Sequence, residues 1–137
     1  MNKAKPSVAF LFEKQNIPFK LCVVDLEAQL SELKLPIANH GRIDWPLIDK
    51  FERIDFLDDA SAARELSKIL TKKKLDEILT VTWSNDLTYS LLIDVKILIE
   101  FLESIVSEDW DFWIVPASGK WIIEKYHEGE ICYFEIE

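Results

Sequence analysis

Glycine is scarce in this chain, with three in 137 residues. Neither GxxxxGK[ST] nor GxGxxG occurs, and so few glycines leave little slack for a loop that cradles phosphate. Histidine and cysteine are equally thin: His40, His127, Cys22 and Cys132. A zinc site needs three or four His, Cys or carboxylate ligands, and neither HExxH nor CxxC is present. The nucleophile elbow GxSxG is missing too. Both histidines fall in turn-like segments, "NHG" and "YHEGE", where a structural or solvated role is the ordinary one. The two cysteines read as buried free thiols of a reducing compartment, because a domain of this size needs no disulfide staple. No metal and no cofactor is implied, and the expectation is a protein that is not an enzyme.

Long apolar runs are also lacking. The N-terminal stretch carries only five consecutive apolar residues before Glu13, short of the run of at least about seven that a secretory leader needs. The stretch from Leu91 to Val106 is interrupted by Asp94, Lys96, Glu100 and Glu103, whereas a membrane span wants about twenty nearly uncharged residues. A soluble, cytoplasmic protein with no membrane partner is expected.

What the sequence does have is core-forming material. Apolar residues make up 49% and aromatics 12%, enough for one dense domain over residues 1–137, with no repeat and no linker. The net charge of −9 is unevenly placed: residues 103–137 hold nine acids and two bases, so they contribute −7. Such a surface repels a phosphate backbone and attracts a basic protein, which argues against nucleic acid and for a protein partner. The plainer alternative is that the acidity only keeps the protein soluble.

Periodicity outlines the elements. Pro6 followed by "SVAFLFEKQ" predicts a short helix. "IPFKLCVVDL" suits a buried strand or the approach to a helix, and Leu26, Leu30 and Leu33 form a helical stripe that Pro36 ends. Residues 42–57 read as a helix with Asp44 as N-cap and Pro46 in the first turn. Asp58 or Asp59 caps a helix over "ASAARELSKILTKKK", whose lysine-rich end matches the helix dipole. "EILTVTWSN" alternates as a strand, Leu79, Val81 and Trp83 inward and Thr80, Thr82 and Ser84 to water. A central apolar helix, opened by Asp86 or Ser90, is expected through "LLIDVKILIEFLESIVSE".

The last thirty residues combine three tryptophans, two tyrosines and two phenylalanines with eight carboxylates. Turns at Gly119 and Gly129 divide them into a three-stranded meander. Pairing Phe112 with Ile123, Ile123 with Phe134 and Trp121 with Ile136 puts Ile114 and Cys132 on the same apolar side, with Lys125 at its margin. The other side receives Asp111, Trp113, Val115, Ile122, Glu124, Tyr126, Ile131, Tyr133, Glu135 and Glu137. In the structural reading this face is a solvated or helix-covered sheet. In the functional reading it is a partner-binding surface formed by Asp111, Trp113, Glu124, Tyr126, His127, Glu128, Glu130, Tyr133 and Glu135.

The expected fold is α+β, with helices packed on one antiparallel sheet that ends in the C-terminal three-stranded meander. In size, acidity, compartment and lack of catalytic motifs, the chain resembles the small immunity proteins of bacterial contact-dependent inhibition and polymorphic-toxin systems. The resemblance is one of overall profile, so no site residue carries over from it. It implies a cytoplasmic protein, a monomer or weak homodimer, that binds and neutralises a cognate basic toxin domain such as a nuclease. Two other readings stand beside it. One is a non-catalytic regulatory or scaffold subunit of a larger assembly or homodimer. The other is a hydrolase using the carboxylates around His127, which requires a deep pocket lined by His127 and two carboxylates.

Overall fold

The computed structural model describes residues 3–39 and 41–136; His40 and Glu137, both placed by the sequence reading, lie outside the described residues. The fold is α+β, with five α-helices and seven strands in one antiparallel sheet among the described residues. The elements run α1 (Ser7–Lys14), β1 (Lys20–Cys22), α2 (Leu26–Glu32), β2 (Glu52–Asp55), α3 (Asp59–Leu70), β3 (Ile78–Trp83), β4 (Ser90–Asp94), α4 (Val95–Glu100), α5 (Leu102–Ser107), β5 (Phe112–Pro116), β6 (Trp121–Tyr126) and β7 (Glu130–Glu135). In space the strands are ordered β1-β4-β3-β5-β6-β7-β2, so the C-terminal meander occupies three adjacent positions.

Local signals explain most of these elements. Asp25 caps α2 by accepting from the Ala28 amide, and Asp58 caps α3 through a reciprocal capping box with Ser61. Two segments depart from the sequence expectation. Trp45–Leu47 form only a short 3-10 turn after Asp44, and the chain then extends into β2 at the sheet edge. The expected single helix starting at Asp86 or Ser90 begins instead with β4, which pairs with both β1 and β3. Asp94 ends that strand and caps α4 by accepting from the Ile97 amide at 2.8 Å.

Both faces of the sheet are covered. On the first face α1, α3, α4 and α5 pack against Leu79, Val81, Trp83, Leu91, Ile93, Phe112, Ile114, Trp121 and Ile123. On the second, Leu30 of α2 and Leu35, Ile43 and Trp45 of the following segment close over Trp113, Val115, Ile122 and Cys132. Thr82, expected in water, is buried here and hydrogen-bonds the Ser90 hydroxyl at 2.9 Å.

The meander's registers differ from those inferred. Phe112 faces Lys125 and Ile114 faces Ile123, a shift of two residues that leaves the faces of β5 and β6 as expected. Between β6 and β7 the shift is one residue: Tyr126 faces Glu130 and Ile123 faces Tyr133. Because side chains alternate, that single step turns over the whole of β7. Ile131, Tyr133 and Glu135 share the first face with Trp121, while Cys132, Phe134 and Ile136 join Glu124 on the second. The cause is the turn. His127, Glu128 and Gly129 make a three-residue connection, with Gly129 at φ +99°, one residue shorter than a four-residue loop.

Candidate functional site

The nine residues expected to form one wet face are distributed over three places. Trp113, Glu124, Tyr126 and Glu130 lie on the second face, under α2 and the segment that follows it. Tyr133 and Glu135 lie on the first face, beside Lys73 at the end of α3. Asp111, His127 and Glu128 remain together at one end of the sheet.

The largest correction concerns Glu124, expected to be solvated and found with 0% of its surface exposed. Its carboxylate accepts from the Trp113 indole at 2.7 Å, the Trp45 indole at 2.8 Å, the Ile43 amide at 2.8 Å and Arg42 Nε at 2.9 Å. A second Arg42 nitrogen lies 2.8 Å away, and Arg42 also meets Glu130 at 3.4 Å. The guanidinium stacks on the Tyr126 ring at 3.7 Å. A buried carboxylate is tolerable when its lone pairs are filled and a cation is adjacent, and both conditions hold here. Trp113 and Glu124 therefore clamp the 42–45 segment onto the sheet rather than standing in water as expected.

Tyr133 and Glu135 form a second structural cluster. Lys73 bonds the Tyr133 hydroxyl and Glu135, and its ammonium sits over the Trp121 and Tyr133 rings at 5.1 and 4.7 Å. Burial, with help from the Glu135 carboxylate, raises the Tyr133 phenol above its ordinary range. That lysine belongs to the "KKK" run, whose expected role was to end the helix.

The remaining group has the exposed chemistry. His127 opens the β6–β7 turn; its backbone amide donates to Asp111 Oδ1 at 2.7 Å and its ring Nδ1 lies 2.9 Å from the same oxygen. The imidazole packs on the Tyr126 ring at 4.4 Å and on the Trp110 ring at 5.5 Å. Trp110 is 72% exposed, and Leu57, which lines the same cleft, is 98% exposed. That cleft, of about 500 Å³, is bordered by Asp58, Asp59, Asp109, Lys125 and His127. Asp109 fixes the approach to Trp110: it accepts from the Ser84 hydroxyl at 2.9 Å, the Asn85 amide at 2.7 Å and the Trp110 amide at 2.7 Å.

Trp110 and Leu57 are the residues that sequence reasoning missed. Both sit two residues from the nearest regular element, where alternation assigns no face. The available signal was local: a tryptophan set between two aspartates, at the junction of a helix and a strand, has no neighbouring apolar residue in sequence to bury it.

His127 also lines a second cleft of about 560 Å³, on the other side, with Asp25, Glu27, Arg42, Asp86, Asp111 and Tyr126 among its walls. The Thr82–Ser90 hydroxyl pair lies in the same cleft. Among the described residues, no three His, Cys, Asp or Glu side chains converge as metal ligands, and no helix is long and apolar enough to cross a membrane. Among known proteins, no family model matches this sequence and no curated protein matches it significantly.

Proposed function

We propose that this protein is a cytoplasmic immunity-type inhibitor, binding and neutralising a cognate basic toxin domain through the acidic aromatic end of its sheet. The observation that carries this reading is the exposure of Trp110 and Leu57 at a cleft bordered by Asp58, Asp59 and Asp109, with Asp111 next to Trp110 in the chain and Glu128 in the adjoining turn. Large apolar side chains at the centre of a charged rim have the layout of an interface hot spot. The aspartates bordering that cleft, Asp58, Asp59 and Asp109, favour a basic partner and speed its approach. Of the nine residues inferred from sequence, Asp111, His127 and Glu128 stay in the proposed surface. The test uses a purified basic toxin domain encoded beside this gene, titrated against the folded protein at rising salt. Tight binding that slows as ionic strength increases supports the reading. Absence of binding to the neighbouring domain, with the isolated protein forming a stable dimer, overturns it in favour of a subunit role.

A second reading draws on the cleft of about 560 Å³, where His127, oriented by Asp111, shares the walls with Asp25, Glu27 and Asp86. That is the lining a carboxylate–histidine hydrolase requires. Turnover of ester or phosphoester substrates that disappears in His127→Ala would support it.

A further inference from the structure

Among the described residues, Lys125 is a cation buried within the fold. It lies on the first face of β6, opposite Phe112 on one side and Ile131 on the other, and is 4% exposed. Its ammonium sits near the Phe56 and Phe112 rings, at 5.4 and 5.9 Å. Its hydrogen bond is to the Trp110 carbonyl, at 2.6 Å. Among the described residues it forms no salt bridge, whereas the half-buried Arg42 and Lys73 each have one. An ammonium carries three N–H donors, and leaving two of them in an apolar wall disfavours the charged form. Burial accordingly pushes this amine below the ordinary lysine value, against the pull of Asp59, Asp111 and Asp109.

The surroundings decide what such an amine can do. Lys125 lines the cleft of about 500 Å³ beneath Trp110, with Phe56, Leu57 and Val106 as apolar walls. Of the three aspartates that border it, Asp58 caps α3 and Asp109 holds three donors of the 84–110 junction, while Asp59 is the carboxylate that acts most on Lys125. His127 lines the same cleft two residues further along the chain, and Asp111 engages its Nδ1, leaving Nε2 as the free ring nitrogen. An amine whose charged form is disfavoured, set on an apolar wall beside an imidazole, is equipped for addition to a carbonyl carbon.

We propose that Lys125 is an amine nucleophile and that the cleft beneath Trp110 takes an apolar, aromatic aldehyde or ketone as an imine adduct. The step balances without an oxidant or reductant. The Nζ lone pair forms the C–N bond as the carbonyl π pair moves to oxygen, and the nitrogen, now positively charged, then passes one proton through His127 Nε2 to that oxygen. The hydroxyl takes the second proton and leaves as water while the nitrogen lone pair forms the C=N bond, and the remaining Nζ proton replaces the one delivered, so both protons of the water come from Nζ. The adduct is separate from the proposed interface function and neither requires the other.

The experiment is reductive trapping on the intact folded protein, with benzaldehyde as the probe, cyanoborohydride as the trapping reagent, and peptide mapping by mass. At neutral pH Lys125 should carry more adduct than exposed lysines such as Lys20, Lys50 and Lys72, since a lowered amine pKa raises the neutral fraction. His127→Ala should slow trapping at Lys125 while leaving trapping at Lys50 unchanged. Labelling of Lys125 no faster than the exposed lysines, or only after urea unfolds the chain, overturns the proposal. Because selectivity is read on the unaltered protein, the result does not depend on a variant that folds. Unchanged trapping in His127→Ala would overturn the proton-transfer role given to that residue.

Discussion

Arg42 and Glu124 meet at 2.8 Å beneath the segment that covers the second face of the sheet, and the carboxylate is wholly buried. The pair joins a loop to the middle strand of the meander and leaves the Trp45 and Trp113 indoles and the Ile43 amide dependent on the same two oxygens. Removing one member leaves the others unpaired without water to replace it. Glu124→Ala should therefore destabilise the fold by about 3–5 kcal/mol, the range for breaking a buried ion pair from one side. Chemical denaturation with an intrinsic tryptophan signal measures it. A loss below about 1 kcal/mol, the size of an exposed pair, would place this network in water.

Packing gives the next expectation. The inferred register made Phe134 a core residue, whereas the observed one puts it half-buried in the smaller cluster on the second face, with Phe112 fully enclosed on the first. Phe112→Ala should cost about 3–5 kcal/mol as a large-to-small core change. Phe134→Ala should cost less, about 1–3 kcal/mol, in line with the apolar surface it buries. Thermal melts of the two variants side by side settle the order, and the reverse order would restore the four-residue turn.

The legible part of this fold was whatever one dominant pattern controlled. The α3 cap at Asp58, the β3 alternation and the turns at Gly119 and Gly129 each have a local cause and appear where the sequence puts them. The 91–93 run was ambiguous because a short apolar stretch fits a buried strand as well as a helix; Asp94, an N-cap in mid-run, was the cue that divides them. The face assignment of β7 rested on separating apolar from charged residues. That criterion fails once both faces are covered, since Glu124 and Lys125, adjacent and opposite in direction, are both buried. The partners that make Glu124 tolerable come from Arg42, Ile43 and Trp45, about eighty residues earlier in the chain, and no spacing rule connects them.

The thiols provide a test by pH. Burial, followed by the Glu130 and Glu124 carboxylates, pushes the Cys132 thiol from 9.0 up to about 12. Burial also raises the half-exposed Cys22. A raised thiol holds its proton in the fold after the unfolded chain has lost it. The associated stability is thus complete below about pH 9 and falls as pH rises towards about 12. The denaturation midpoint should drop between about pH 8 and about pH 10.5, and Cys132→Ala should remove part of that slope. At about pH 8 an aromatic disulfide reagent should modify Cys22 and leave Cys132 until the protein unfolds. Equal reactivity of the two thiols in the folded state would contradict the burial of Cys132.

Trp110 and Leu57 separate folding from recognition. Both side chains are largely in solvent, so Trp110→Ala and Leu57→Ala should shift stability by no more than about 0.5 kcal/mol, as substitutions away from the core do. If they are the apolar anchors of the interface, each should weaken binding of the neighbouring basic domain by at least about 2 kcal/mol. Reversing the rim with Asp111→Lys should act differently, slowing association most at low salt, where the charges are least screened. Asp111 also holds His127, so this variant is read alongside Asp111→Asn, which keeps an acceptor for the turn and removes the charge. The informative outcome is the contrast between kinetic constants. Loss of the tryptophan should appear in the dissociation rate and reversal of the aspartate in the association rate. Binding that survives Trp110→Ala and Leu57→Ala together would remove this end of the sheet from the interface and leave its acidity as a solubility device.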